Sequence, residues 1–235
     1  MFNANLRVET AQLDNGSHCY VVDDALAEPE AAVRYAAERR QQFVPGERGG
    51  YPGLTLALPQ SLAPAILTFF ATHMRPRFDA RRLMHGMCRY SMVTLPSNEL
   101  LPTQMICHRD EPVGSDQYSV SAAVLYLFHE EGLGGTSFYE TTRSPAESAR
   151  LFSDSRSMSS ADFAAKYGIP RTYLTGSNDH FRRVGTIAAK WNRMVFYDAS
   201  FLHSGDILMP ERMNSDPETG RLTLNFFYSS RRHLA

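Results

Sequence analysis

His108 and Asp110 stand one residue apart in Met105-Ile106-Cys107-His108-Arg109-Asp110, a stretch whose apolar start reads as a strand. Alternation along a strand sends both ligand-type side chains to one face and Arg109 to the other. A third donor, His203, follows the apolar run Met194-Val195-Phe196-Tyr197 and the turn residues Asp198 to Ser200, so a neighbouring strand can bring it to the pair. Two imidazoles and one carboxylate on a triangular face satisfy iron(II) and leave the opposite positions open, which is what oxygen activation beside a chelating cosubstrate needs. A His-x-Asp tripeptide alone is weak evidence, because a hydrogen-bonded histidine at a strand end has the same appearance.

The last apolar stretch adds weight. In Arg221-Leu222-Thr223-Leu224-Asn225-Phe226-Phe227-Tyr228, Arg221, Thr223 and Asn225 alternate with Leu222, Leu224 and Phe226. If the apolar face packs under helices, Arg221 and Thr223 point inward, where an unpaired guanidinium is costly. The spacing therefore predicts an anionic partner. The far carboxylate of a dicarboxylate cosubstrate would accept a bidentate pair of hydrogen bonds from Arg221 and a third from the Thr223 hydroxyl.

These residues need a scaffold, and the rest of the chain supplies one. A short strand is expected over Ser17 to Asp24, a helix from Pro29 through Phe43, and a second helix from about Ser61 to Met74. From Leu83 onward the pattern is β: Arg89 to Leu95, Met105 to Asp110, Ser119 to Phe128, Thr136 to Glu140, Gly185 to Lys190, Met194 to Tyr197 and Arg221 to Tyr228. Short strands after two helices describe a mainly β chain with flanking helices, an α+β barrel or sandwich. We expect one domain over 1–235, with 1–82 as helical N-terminal support and 83–235 as the β core. An insert at 141–181 carries two helical patches, Pro145 to Phe152 and Ser160 to Tyr167, and reads equally as a lid or as a tolerated surface excursion.

The ordered pieces resemble the 2-oxoglutarate and iron(II)-dependent dioxygenases, in particular their prolyl-4-hydroxylase-like branch. They run from Arg89-Tyr90-Ser91 through His108-Arg109-Asp110, Val124-Leu125-Tyr126-Leu127 and Gly134-Gly135-Thr136-Ser137-Phe138-Tyr139. Arg193 to Tyr197, Leu202-His203 and Arg221-Leu222-Thr223 complete the series. The resemblance implies a double-stranded β-helix (jelly roll) core. It also implies decarboxylation of 2-oxoglutarate coupled, through a ferryl species formed from O2, to oxidation of an unidentified small molecule or peptide. On the same ground His108, Asp110 and His203 would hold Fe(II), and Arg221, Thr223, Tyr126 and Tyr90 would contact the cosubstrate. The two tyrosines read equally well as ordinary strand residues with satisfied hydroxyls.

One departure concerns the anchor: Arg212 follows His203 by nine residues, a common family spacing, and Arg221 by eighteen. Arg221 is preferred because it opens a strand with a hydroxyl two residues on, whereas Arg212 sits among Pro210, Glu211, Met213 and Asn214 in what reads as a loop. A halogenase is disfavoured, since Asp110 fills the position a halide would take.

Composition narrows the remaining classes. With 235 residues, 43% hydrophobic and 21% charged, the chain has the make-up of a packed globular domain. A net charge of -1 with dispersed arginine pairs speaks against nucleic acid as a partner. Three cysteines, Cys19, Cys88 and Cys107, without CxxC spacing speak against a disulfide framework. Met1 to Leu13 lacks the look of a secretory leader, and no apolar run approaches the ~18 residues of a membrane span, so the cytoplasm is the expected address. A small-molecule or peptide substrate is expected and a homodimer is left open. His85 with Cys88 lacks a second pair of metal ligands, Gly132 to Gly135 reads as a strand-joining turn, and Trp191 suits edge packing as well as substrate stacking. Two rival readings stand beside the oxygenase: a cupin-like zinc or manganese hydrolase or isomerase using the same ligands, and a catalytically inactive jelly-roll binding protein.

Overall fold

The computed structural model describes residues 2–110 and 117–233. Among these, the first strands are β1 (Val8–Gln12), β2 (His18–Val22), β3 (Val44–Pro45), β4 (Gly53–Ala57), β5 (Arg82–Val93) and β6 (Tyr118–Tyr126). They are followed by β7 (Thr136–Thr141), β8 (Phe181–Ile187), β9 (Met194–Asp198), β10 (Leu202–Gly205) and β11 (Arg221–Arg231). An antiparallel major sheet runs β1-β2-β9-β6-β11-β5-β4-β3, and a minor sheet runs β10-β7-β8.

One face of the major sheet is covered by α1 (Pro29–Glu38) and by α2 (Ala63–Phe69), which continues as a wider turn over Phe70–Met74. Pro29 opens α1 where its missing N–H costs nothing, and Ala36 on the same helix is fully buried. Alternation in β11 puts Leu222, Leu224, Phe226 and Tyr228 into this layer with Tyr90, Met92, Phe69 and Phe70. The Tyr228 ring stacks on Phe70 with centroids 4.2 Å apart. The opposite set of β11, beginning with Arg221, Thr223 and Asn225, turns to the other face. Register fixes what lies beside it: Thr223 is opposite Ser91 on β5 and Tyr126 on β6. The architecture is thus mainly β with a few helices, and the functional residues lie on the side away from α1 and α2.

Two expectations change. Residues 1–82 do not serve as helical support alone, because β1 to β4 from this part form both edges of the major sheet. β2 is the strand expected over Ser17 to Asp24, whereas the runs of β1, β3 and β4 are too short or too polar for periodicity to reveal. Met105–Asp110 is not a strand. It is an irregular segment whose one β-type contact is a bridge between His108 and His203. Its apolar start reflects burial from all sides, with Met105, Ile106 and Cys107 at most 3% exposed. Cys19, Cys88 and Cys107 are free and buried. Among the described residues no helix is long and apolar enough to cross a membrane.

Asp23, just past β2, ties that strand to the approach to β9. It accepts hydrogen bonds from Lys190 Nζ at 2.7 Å and from Arg193 Nε at 2.6 Å. Arg193, with Lys190, holds the Asp23 carboxyl down at about 2. An unfolded aspartate titrates near ~3.9, so this stabilisation is present above ~4 and is lost as pH falls through the folded value. Partial exposure screens it to about 1 kcal/mol. Asp23→Asn should lower urea-unfolding stability by that amount at neutral pH, and the gap from wild type should close as pH approaches 2.

Candidate active site

His203 lies on β10 and His108 on the irregular segment before β6, and their main chains lock together. Each N–H donates to the other's carbonyl at 2.9 Å, and the Asp110 N–H donates to the Ala199 carbonyl at 3.0 Å. The side chains of His108, Asp110 and His203 consequently offer donor atoms that all lie within 4.8 Å of one another. Asp110 Oδ1 is 3.5 Å from His108 Nε2, and Asp110 Oδ2 is 3.3 Å from His203 Nε2. Adjacent vertices of an octahedron with ~2.1 Å bonds are about 3 Å apart, so a small inward movement closes the set around a divalent ion.

Protonation suits that task. His203 Nδ1–H donates to the Phe201 carbonyl at 2.9 Å, which leaves Nε2 as the lone-pair nitrogen facing Asp110. The buried Tyr197 hydroxyl donates to that Nε2 at 3.2 Å and would yield to a metal ion. Burial drives the His203 imidazolium value down to about 4, against the opposing pull of Asp110, so the ring is neutral at pH 7. Burial works to raise Asp110, but His203, His108 and Arg89 beside it outweigh that and hold the carboxyl below its usual range. One neutral imidazole and one ionised carboxylate are therefore preset. His108, with 57% of its side chain exposed, stands at the mouth.

The ligand-bearing segment is held from outside by the insert. Helices α3 (Pro145–Asp154) and α4 (Ser160–Tyr167) send Leu151 and Phe163 into a cluster with Leu100, Met105, Ile106 and Cys107. Ser160 Oγ donates to the Leu100 carbonyl at 2.8 Å, and the Tyr173 hydroxyl donates to the Leu95 carbonyl at 2.6 Å. The insert is thus a buttress under the segment that carries His108 and Asp110, and it also lends Arg156 and Tyr173 to the wall of the pocket.

That pocket has a volume of about 450 Å³ and runs from the triad to Arg221, Thr223, Asn225, Arg89 and Tyr51. Arg221, 4% exposed, points inward as expected, but main-chain carbonyls already accept from it. Its Nε donates to Leu133 at 2.9 Å and Gly134 at 3.1 Å, and Nη2 donates to Gly135 at 2.9 Å. Gly134 makes this cradle possible: its φ is +83°, and a Cβ there would run into the Asp206 carbonyl. The inference that Arg221 requires an anion to be satisfied is therefore corrected. Its charge still reaches the pocket, because carbonyl dipoles accept hydrogen bonds without cancelling it and the Asp206 carboxyl nearby, which also faces Arg183, offsets it only in part. The Thr223 hydroxyl donates to the Ser91 carbonyl at 3.1 Å, so it is not free to donate to a ligand as arranged.

The two tyrosines part company. Tyr126 is inward and fully buried, its hydroxyl 2.8 Å from Thr136 Oγ1, and that threonine lines the pocket. Tyr90 is on the helix side, where its hydroxyl donates to the Ala32 carbonyl at 2.8 Å, so the sheet separates it from the pocket. Alternation against Ser91 would have revealed this. Arg212 pairs with Glu130 at 2.9 Å on the surface and does not line the pocket. Trp191 stacks on His129 with centroids 4.1 Å apart, an edge-packing role.

Sequence reasoning missed Tyr51, Arg89 and Tyr197. The Tyr51 hydroxyl and Arg89 Nε are buried without a hydrogen-bond partner. Burial raises the Tyr51 phenol, opposed by Arg221, Thr223 and Arg89 around it. Arg89 could have been found from its place two residues before Ser91 on the same inward face of β5.

The chain belongs to a family of unknown function, DUF6445, whose model matches residues 4–228. Comparison with curated proteins gave no match. Among solved structures, it is similar to a prolyl 4-hydroxylase from Phytophthora capsici at 15% identity and a TM-score of 0.44, covering 90% of this chain and 58% of that one. It is similar to the non-heme alpha ketoglutarate dependent carbocyclase SnoK from nogalamycin biosynthesis at 14% identity and 0.48, covering 90% and 79%. HygX from Streptomyces hygroscopicus, with nickel and 2-oxoglutarate bound, aligns at 13% identity and 0.45, covering 90% and 82%. None of these three likenesses reaches a TM-score of 0.5, so the residues of the site itself must carry the function.

The buttress can be tested directly. Phe163 is fully buried against the segment leading to His108, and Phe163→Ala should cost ~3–5 kcal/mol in urea unfolding. Under conditions where the variant remains folded, its divalent-cation affinity by calorimetric titration should fall. An unchanged affinity would show that the segment keeps its place without the insert.

Proposed function

We propose that this chain is a non-haem iron(II) oxygenase that uses 2-oxoglutarate as cosubstrate and oxidises a small-molecule or peptide substrate, with hydroxylation as the outcome. The observation that carries this reading is the His108, Asp110 and His203 set opening onto a pocket backed by the buried charge of Arg221. Two imidazoles and one carboxylate occupy one triangular face and leave the other for cosubstrate and oxygen. The facing sheets would form a double-stranded β-helix, with the metal site at the strand pair that joins them.

Bound iron(II) would mediate the four-electron reduction of O2, in which oxidative decarboxylation of the oxoacid to succinate and CO2 provides two electrons and oxidation of the substrate the other two, one oxygen atom going to each product. The chain's own residues do the rest. Asp110 and His203 stay in metal-binding form at neutral pH, and the Phe201 carbonyl keeps His203 Nε2 turned to the ion. Arg221 would meet the far carboxylate of the oxoacid, with the Tyr51 hydroxyl as a second donor in place of the one first expected from Thr223. Tyr126 would act one layer back, orienting Thr136 at the pocket wall. The free, buried cysteines suit a reducing compartment such as the cytoplasm.

Iron-dependent conversion of 2-oxoglutarate to succinate tests the reading against a hydrolase or isomerase built on the same ligands, which would release none. Turnover should vanish in His108→Ala together with tight iron(II) binding; metal retained in that variant would remove His108 from the ligand set. Arg221→Ala should raise the Kd for 2-oxoglutarate roughly tenfold or more, the weight of a charge-assisted hydrogen bond, while leaving iron affinity near wild type. Arg212→Ala should change neither, and the reverse pattern would move the anchor to Arg212.

A further inference from the structure

Arg89 lends its charge to Asp110, but its hydrogen-bonding capacity is unused in the reading above. It projects from the inward face of β5, opposite Asn225 on β11, with its guanidinium carbon 5.7 Å from the centre of the Phe227 ring. Its Nε is buried without a hydrogen-bond partner, and among the described residues it makes no ion pair. Asp110 is the one carboxylate among the described residues that line the pocket, and the metal claims it. A guanidinium left this way in a concave, partly dry site lacks its counter-ion.

Charge balance says what the counter-ion is. A divalent ion with Asp110, Arg221 and Arg89 makes the inner pocket strongly positive, and Arg109 and Arg156 on its walls add to this more than Asp206 beside Arg221 offsets it. A dianionic oxoacid removes two of these positive charges. Positive charge remains at Arg89, and the planar fork of an arginine matches a carboxylate in a bidentate manner. The volume of about 450 Å³ lies within the range of pockets that enclose drug-sized ligands, which leaves room for a second molecule beside a small dicarboxylate. Arg156, reaching the same wall from the insert, adds positive potential along the way in.

We infer that the prime substrate of this pocket is an organic acid whose carboxylate docks on Arg89. This rests on the oxygenase reading and deepens it. Arg221 serves the cosubstrate and Arg89 the molecule to be oxidised, so that the two acids enter one pocket without competing for one cation.

The test uses the zinc(II)- and 2-oxoglutarate-loaded protein, with butyrate and its neutral counterpart butyramide as probes in saturation-transfer NMR titrations. Butyrate should bind at least tenfold more tightly than butyramide. Arg89→Gln should reduce that preference below twofold while its Kd for 2-oxoglutarate, measured by calorimetry, stays within threefold of wild type. Arg89→Lys, which keeps the charge, should retain most of the preference, and matching thermal melts show that both variants are folded. Equal binding of the two probes, binding of neither, or a preference that survives in Arg89→Gln would overturn the inference. A tenfold loss of 2-oxoglutarate affinity in Arg89→Gln would overturn it too, by making Arg89 the cosubstrate anchor. Absence of 2-oxoglutarate binding to the wild-type protein would overturn the oxygenase reading as well, and so separates the two failures.

Discussion

Two reciprocal backbone hydrogen bonds between His108 and His203 set the geometry on which the site depends. In antiparallel pairing, residues that exchange both bonds sit directly opposite, so their side chains are tied by main chain and not by rotamer choice alone. The pair is an isolated bridge, and among the described residues no strand on the His108 side extends it. Its persistence must come from the surroundings: the Asp110 N–H bonded to Ala199, and the insert packed beneath Met105, Ile106 and Cys107. An irregular segment buttressed in this way can present the side chains of His108 and Asp110 together toward the pocket.

Burial then does the electrostatic work. His203 is kept neutral and Asp110 ionised before any ion arrives, so little reorganisation is needed when one binds. On the other wall, three consecutive carbonyls hold the Arg221 guanidinium in place without neutralising it. Gly134, in a left-handed conformation that only a residue without a side chain takes freely, aims those carbonyls. The pocket thus combines fixed positive charge at one end with a compact donor cluster at the other, an arrangement suited to a molecule that carries a carboxylate at one end and chelating oxygens at the other.

The residue types of the triad were legible because a short His-x-Asp spacing and a later histidine after an apolar run do not depend on knowing the sheet order. Arg221 was legible for the same reason, since alternation in a long terminal strand fixes which side each residue takes. Tyr90 was misread because it was grouped with its motif, although the period of two places it opposite Arg89 and Ser91. The Met105 to Cys107 run looked like a strand because apolar content reports burial, and burial here comes from a partner more than forty residues away in sequence, Leu151 with Phe163. Tyr51 and Arg89 come together only through the register of β4, β5 and β11, which no local pattern encodes.

Anaerobic titration of the protein with iron(II) and then with 2-oxoglutarate, followed by visible absorption, probes the shared metal site and its open face together. A weak charge-transfer band that saturates near one equivalent of each, and is absent in His203→Ala, is the expected outcome. Failure of the band to form despite bound iron, or its survival without the His203 imidazole, would contradict a centre built from these three side chains.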